Sequence, residues 1–246
     1  MRILPAIDLR AGKCVRLVEG KIENETIFSD DPVAVALSWQ DLGAQMLHLV
    51  DLDGAFAGHP HNQDVIKEIV QTVNIPVQLG GGIRTLETVE YLLNLGVQRV
   101  VLGTVAINKP ELVREACAKY GDRIVVGIDA KDGLVAIEGW EATVGKTILE
   151  LAREMEQIGV KRVVFTDVRR DGTLKGPNVE SIKELAQSCN MLIVASGGVA
   201  CLRDIEELKE LEALGVDEVI VGKALYTGAV SLDDVLAIAA GCCAKK

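Results

Sequence analysis

The 246-residue chain predicts an α/β fold, a closed (β/α)8 TIM barrel with a two-fold half-barrel repeat. Apolar runs of strand length alternate with helix-period stretches eight times along the chain, the pattern of a parallel sheet wound with helices. Hydrophobic residues make up 49% of the chain and aromatics only 3%, so the core must be Val, Ile, Leu and Ala, which suits strands buried on both faces. The ends of the runs also repeat. They fall at Asp8, Asp51, Gly80 and Gly103, then at Asp129, Thr166, Ser196 and Gly222. The intervals are 43, 29 and 23 residues in the first set and 37, 30 and 26 in the second, long to short both times. The reading is one domain over 1–246 with half-barrels at about 1–123 and 124–246; barrels of this length are commonly one domain.

In chain order, Pro5-Ala6-Ile7-Asp8 ends the first strand, and the long segment 9–32, with Cys14 to Gly20, reads as a small hairpin over the mouth. Met46-Leu47-His48-Leu49-Val50-Asp51 is the second strand. The third ends at Gly80-Gly81-Gly82. Leu86, Val89, Leu92 and Leu93 then keep helical spacing up to Gly96. The fourth run ends at Gly103-Thr104. Val126-Gly127-Ile128-Asp129 opens the second half, followed by a second hairpin-like segment, 130–145, carrying Trp140. Ile148, Leu151, Ala152, Met155 and Ile158 form a helical face that stops at Gly159. The last strands end at Thr166, at Ser196-Gly197-Gly198 and at Gly222-Lys223. Gly43, Gly96, Gly159 and Gly215 stand where helix C-caps are expected. An open, doubly wound sheet would favour a GxGxxG turn after the first strand, and residues 8–13 are not one.

A net charge of −10 disfavours nucleic acid or an anionic membrane as partner. No apolar run approaches the roughly 20 residues that cross a bilayer, and the short first run, ending at Asp8, makes a poor signal peptide. The six cysteines lack CxxC spacing, and apart from the vicinal Cys242-Cys243 pair they read as reduced thiols of a cytoplasmic protein. His48, His59 and His61 lack ligand spacing, so no metal is expected; His59 and His61 read as solvated.

Barrel sites lie at the C-terminal ends of the strands. Gly81 and Gly82 with Gly103 and Thr104, and Ser196, Gly197 and Gly198 with Gly222 and Lys223, form two matching clusters. Glycines let backbone N–H groups close on a phosphate, where a helix start adds partial positive charge. One such cluster alone would read as a tight turn; two in register suggest a phosphate seat at each end of a ligand. That reconciles an anionic ligand with an acidic chain. Asp8 and Asp129 end strands one and five, across the barrel from each other, and fit a general base and a general acid with divided pKa values. Either alone could be a helix cap. Asp51 and Asp171 read as orienting or substrate-binding groups, Asp53 and Asp167 as loop structure. His48 is a packed core residue or a substrate contact, and Trp140 stacks on a planar ring or caps the rim.

Pro5-Ala6-Ile7-Asp8-Leu9, Val15-Arg16-Leu17, His48-Leu49-Val50-Asp51-Leu52, Gly80 to Arg84, Gly103-Thr104, Gly127-Ile128-Asp129, Gly139-Trp140, Thr166 to Thr173, Ser196 to Gly198 and Val221 to Ala224 together make the chain resemble the ProFAR isomerase family of histidine biosynthesis from end to end. The resemblance implies an Amadori rearrangement of a bis-phosphoribosyl substrate, with no metal or organic cofactor. It implies Asp8 as the base at C2′ and Asp129 as the acid in ring opening, with Thr166 beside it. Arg16, Arg84, Trp140 and Asp171 are similar to the family's substrate-holding residues; His48 and Asp51 join them as substrate-binding candidates from their places on the second strand. The related cyclase subunit of imidazole glycerol phosphate synthase usually carries lysine in place of Arg16 and Ile-Thr-Ala-Ser in place of residues 52–55, so no glutaminase partner is expected and the chain reads as a monomer. Bifunctional relatives that also isomerise phosphoribosylanthranilate carry arginine where this chain has Glu138, which would repel the anthranilate carboxylate. A phosphosugar-binding barrel without catalysis would need the glycines but not the opposed aspartates.

Overall fold

The computed structural model describes residues 1–137, 139–140 and 142–241. Its strands are β1 (Arg2–Arg10), β2 (Lys13–Val18), β3 (Lys21–Ser29), β4 (Leu47–Asp51), β5 (Val77–Gly80), β6 (Arg99–Leu102), β7 (Ile124–Lys131), β8 (Leu134–Ile137), β9 (Ala142–Thr147), β10 (Arg162–Asp167), β11 (Leu192–Ser196) and β12 (Val216–Val221). Eight of them pair in parallel as β1-β4-β5-β6-β7-β10-β11-β12, and the ring closes between β12 and β1. This is a (β/α)8 barrel. The other four are two antiparallel hairpins. β2 and β3 extend from β1, and β8 and β9 extend from β7, four strands away around the ring. Both segments expected to project over the mouth are therefore hairpins, placed alike in the two halves.

The pleat divides each barrel strand between two cores. Leu4, Ala6, Met46, Val125, Val164, Val194 and Ile220 pack inside the ring. Their neighbours Ile3, Ile7, Leu47, Leu49, Val126, Ile128, Val163 and Phe165 pack outward beneath the helices. A period of two then fixes what reaches the mouth: Asp8 continues the inward face of Leu4 and Ala6, and Thr166 that of Val164.

Around the ring lie α1 (Pro32–Asp41), α2 (Leu52–Ala57), α3 (Gln63–Thr72), α4 (Leu86–Leu95), α5 (Thr104–Asn108), α6 (Pro110–Tyr120), α7 (Ile148–Gln157), α8 (Val179–Ser188), α9 (Leu202–Lys209), α10 (Lys223–Tyr226) and α11 (Leu232–Ala239). Sequence signals set their limits. Thr85 accepts the Thr88 N–H to start α4, and Gly96, at φ 113°, stops it in the left-handed region. Thr147 and Glu150 form a reciprocal capping box on α7. Gly215 caps a 3-10 turn instead of an α-helix. Gly103 and Gly222 lie one residue beyond β6 and β12, since their backbones have turned out of the β region. Among the described residues no helix is long and apolar enough to cross a membrane.

The lower end of the barrel is closed by charge. Glu218, 2% exposed, takes two hydrogen bonds from Arg99 and pairs with Arg2 and Arg162, each at 3.2 Å.

Candidate active site

A cavity of about 240 Å³ opens at the C-terminal ends of the strands. Asp8, Asp129, Arg16, His48, Arg84, Trp140, Thr166 and Asp171 line it, as do all nine positions read as phosphate contacts: Gly81, Gly82, Gly103, Thr104, Ser196, Gly197, Gly198, Gly222 and Lys223. Asp51 does not.

Asp8 and Asp129 stand on β1 and β7, opposite strands of the eight. Their surroundings differ. Asp8 accepts a hydrogen bond from Arg16 Nη1 at 2.8 Å, an ion pair with little solvent access. Burial raises the Asp8 pKa, and Arg16 works against that rise. Burial also raises Asp129, but here the opposing groups are neutral: Trp140 and Thr166 hydrogen-bond to its carboxyl. Thr166 is the register partner of Asp129 on β10, so the strand pairing itself brings them together. Burial in one cavity thus raises both carboxyls, and only Asp8 has a cation beside it to oppose the rise. The third carboxyl, Asp171, is pushed up to about 7 by burial and by the like charges of Asp8 and Asp129, with Arg16 and Lys223 opposing. It is a partly protonated acid at neutral pH, facing both of the others.

His48 lies inward on β4, buried, with its pKa lowered to about 3 by burial and by the charges of Arg16 and Arg99. It is neutral at physiological pH. The Gln78 side-chain amide on β5, wholly buried, lies 2.9 Å from its Nδ1; with the amide nitrogen donating, the ring proton sits on Nε2. His48 is thus a buried residue that also lines the cavity. The Gln78 contact was not anticipated, although a lone amide between Val77 and Leu79 in a buried strand is a visible signal.

The two glycine clusters are equivalent in detail. Gly81 and Gly82 have φ 101° and 70°, and Gly197 and Gly198 have 88° and 90°. A Cβ on Gly82 would collide with the Gly54 carbonyl, and one on Gly198 with that of Gly176. Beside the first cluster, Gly103 faces open space. Beside the second, Gly222 leaves room for the Arg16 guanidinium, which a Cβ would meet at 2.8 Å. Arg84 lies along the first seat, bonded to the Ala55 carbonyl, and Lys223 along the second, bonded to that of Gly172. These cations give an acidic chain a local positive charge at the cavity.

Asp51 corrects a sequence expectation. Leu47 and Leu49 face the helices, and the same parity turns Asp51 outward from the cavity. Its carboxylate, 1% exposed, caps α2 at the Gly54 N–H and accepts from the His61 and Asn62 N–H groups and from Asn62 Nδ2. Its counterpart Asp167 likewise accepts from Asn178 Nδ2 at 2.7 Å and from the Arg169 N–H. Asp53, accepting from the Ala11 N–H and Asn62, is loop structure as expected. His59 and His61 are exposed and stacked on each other, with ring centroids 4.8 Å apart.

Three loops meet over the mouth. The Glu19 N–H donates to the Asp171 carbonyl at 3.1 Å, joining the β2–β3 hairpin to the loop after β10. A Cβ on Gly20 would strike the Trp140 indole, and one on Gly139 the Phe56 ring. Trp140 thus packs at the rim and also touches Asp129. Glu138 and Cys242-Cys243 lie outside the described residues.

Residues 2–231 match the family described as histidine biosynthesis protein. The chain belongs to this family. Similar members include proteins of Pelotomaculum thermopropionicum, 59% identical over 100% of this chain and 98% of their own, of Desulforamulus reducens, 60% identical over 98% of each, and of Moorella thermoacetica, 56% identical over 98% of this chain and 99% of its own. Each is named 1-(5-phosphoribosyl)-5-((5-phosphoribosylamino)methylideneamino)imidazole-4-carboxamide isomerase. The match to the histidine biosynthesis family extends over the strands, both hairpins and both glycine clusters that build the cavity.

Proposed function

We propose that this chain is an aldose–ketose isomerase that converts ProFAR to PRFAR, its ribulosyl isomer, by an Amadori rearrangement. One observation carries the reading: two half-buried carboxyls on opposite strands face one cavity with a glycine cluster on either side. The names of the full-length relatives support it.

The substrate spans the mouth with a phosphate at each seat. Gly81, Gly82, Gly103, Thr104 and Arg84 hold one end, and Ser196, Gly197, Gly198, Gly222 and Lys223 hold the other. The nitrogen lone pair opens the ribosyl ring, and Asp129, whose pKa burial raises, gives a proton to the departing ring oxygen. Asp8, paired with Arg16, takes the proton from C2′. The resulting enolamine gains a proton at C1′ and gives up its C2′ hydroxyl proton to become the ketone, so the product is an isomer and no redox partner enters. Thr166 and Trp140 fix the Asp129 carboxyl, and the proton on His48 Nε2 is available to a sugar hydroxyl. A second donor stands beside Asp129: Asp171, with its pKa near 7, carries a proton over the same pH range.

We read the chain as one domain of two half-barrels, in the cytoplasm, monomeric and without a glutaminase, acting on a small-molecule bisphosphate. Activity on phosphoribosylanthranilate is expected to be negligible because of Glu138. The test is conversion of the aminoaldose by purified protein with EDTA present. Conversion of ProFAR and not of phosphoribosylanthranilate fits; failure of the first, or equal turnover of both, contradicts.

A further inference from the structure

We propose that Tyr226, braced by Phe28 and Trp39, is a positioning residue that holds Arg16 against Asp8. The chain has only eight aromatic residues, three Phe, two Trp and three Tyr. Three of the eight gather here, behind the ion pair. The Arg16 guanidinium lies over the Tyr226 ring, 5.1 Å from its centroid. The Phe28 ring packs on Tyr226 at 5.0 Å, and Trp39 meets it edge-on at 5.6 Å.

Backbone geometry explains the meeting point. The β1–β12 ladder ends at Pro5 and Val221, so the Ala6 carbonyl lies beyond the last paired residue of β12. Tyr226 donates its hydroxyl to that carbonyl at 3.0 Å, and Arg16 Nη2 donates to it as well. Gly222, at the start of the same short turn as Tyr226, leaves the space the guanidinium fills. Arg16 is thereby held on four sides: by Asp8, by the Ala6 carbonyl, by the Gly222 backbone and by the Tyr226 ring. Phe28 stands on β3, so the hairpin that carries Arg16 is anchored to Tyr226 at a second place. Tyr226 itself has its pKa raised to about 12 by burial and stays neutral, which excludes it from proton transfer near neutrality.

The inference rests on the reading of Asp8 as the base. Arg16 is the group that opposes the rise of the Asp8 pKa. Letting the guanidinium wander raises Asp8 further, and the base then becomes available only at higher pH. The other charged or titratable groups at this place are Cys14 on β2, His48 on β4, Asp129 on β7, Asp171 after β10, Lys223 on α10 and Asp31 before α1. Of these, Asp171 titrates in the working range and His48 and Cys14 do not. The comparison is therefore made in the wild-type and in the Asp171→Asn background.

The experiment measures kcat, KM and the pH profile of kcat/KM for Tyr226→Leu, Tyr226→Phe and Phe28→Leu. Loss of a desolvated cation–π contact is expected to lower kcat about five- to thirty-fold in Tyr226→Leu, with KM changed less. The acidic limb of its profile moves to higher pH in both backgrounds. Tyr226→Phe keeps the ring and recovers most of kcat and of the limb position, and Phe28→Leu falls between. An unmoved limb in Tyr226→Leu, or in Phe28→Leu should Tyr226→Leu not fold, overturns the proposal. So does a Tyr226→Phe variant as impaired as Tyr226→Leu, which would assign the effect to the hydroxyl. Asp8→Asn separates the two readings. If it retains turnover, the base assignment fails; if it is inactive while the limbs stay fixed, only the role of Tyr226 fails.

Discussion

Asp8, Asp129 and Asp171 share one desolvated space, yet each meets it with a different neighbour. Asp8 has a guanidinium, Asp129 has an indole and a hydroxyl, and Asp171 has the other two carboxyls. These neighbours predict distinct losses. Replacing Asp8 or Asp129 by Asn is expected to lower kcat by roughly 10²–10⁴-fold, while binding of the bisphosphate product, read by calorimetry, persists. Asp171→Asn removes the group nearest neutrality. If Asp171 contributes as a proton donor, the fall in kcat/KM between pH 6 and 8 flattens in that variant, since an acid that must be protonated loses its function as pH rises through its pKa. A profile unchanged by Asp171→Asn limits this residue to binding.

At the scale of elements, the aspartate that ends β4 shows what the pleat decides. Asp51 and Asp53 lie on the β4–α2 junction, and parity sends Asp51 to a network of four donors that ties β4 to α2 and α3. Asp51→Ala leaves those buried donors without an acceptor and is expected to lower stability by about 3–5 kcal/mol, read by urea denaturation. A purely substrate-binding Asp51 would instead raise KM with stability unchanged. The strand ends, both hairpins and the helix caps were legible in the sequence because each rests on local chemistry: apolar runs, helical spacing, and Thr or Gly at the caps. Strand alternation was equally legible, and counting two by two from Ala6 or Val164 selects Asp8 and Thr166. Counting from Leu49 turns Asp51 toward the helices. Gln78 beside His48 and Tyr226 behind Arg16 could not be read in this way, because each contact joins separate strands or turns whose adjacency exists only once the barrel closes.

At the scale of the whole molecule, stability and function pull apart across the barrel. The lower end holds Glu218 among Arg2, Arg99 and Arg162, far from the mouth. Glu218→Gln leaves the buried Arg99 guanidinium without its carboxylate, while Arg162 keeps Asp217, and is expected to cost about 3–5 kcal/mol of stability while leaving KM unchanged. The mouth does the opposite. A carboxyl whose native pKa is raised binds its proton more tightly in the folded state, so stability falls as pH rises from about 4 through about 7. Asp171→Asn is therefore expected to stabilise the protein at pH 8, by up to about 4 kcal/mol, and to leave it nearly unchanged at pH 4. Thermal unfolding at the two pH values checks this.

The most direct measurement is turnover of ProFAR in deuterium oxide by the wild-type protein and by Asp8→Asn, followed by mass spectrometry. Two opposed carboxyls working as base and acid yield a wild-type product with one solvent deuteron fixed at C1′, and Asp8→Asn forms product and exchanges roughly 10²–10⁴-fold more slowly. Rapid conversion by Asp8→Asn, or a wild-type protein that binds the substrate and leaves it unchanged, would contradict the account.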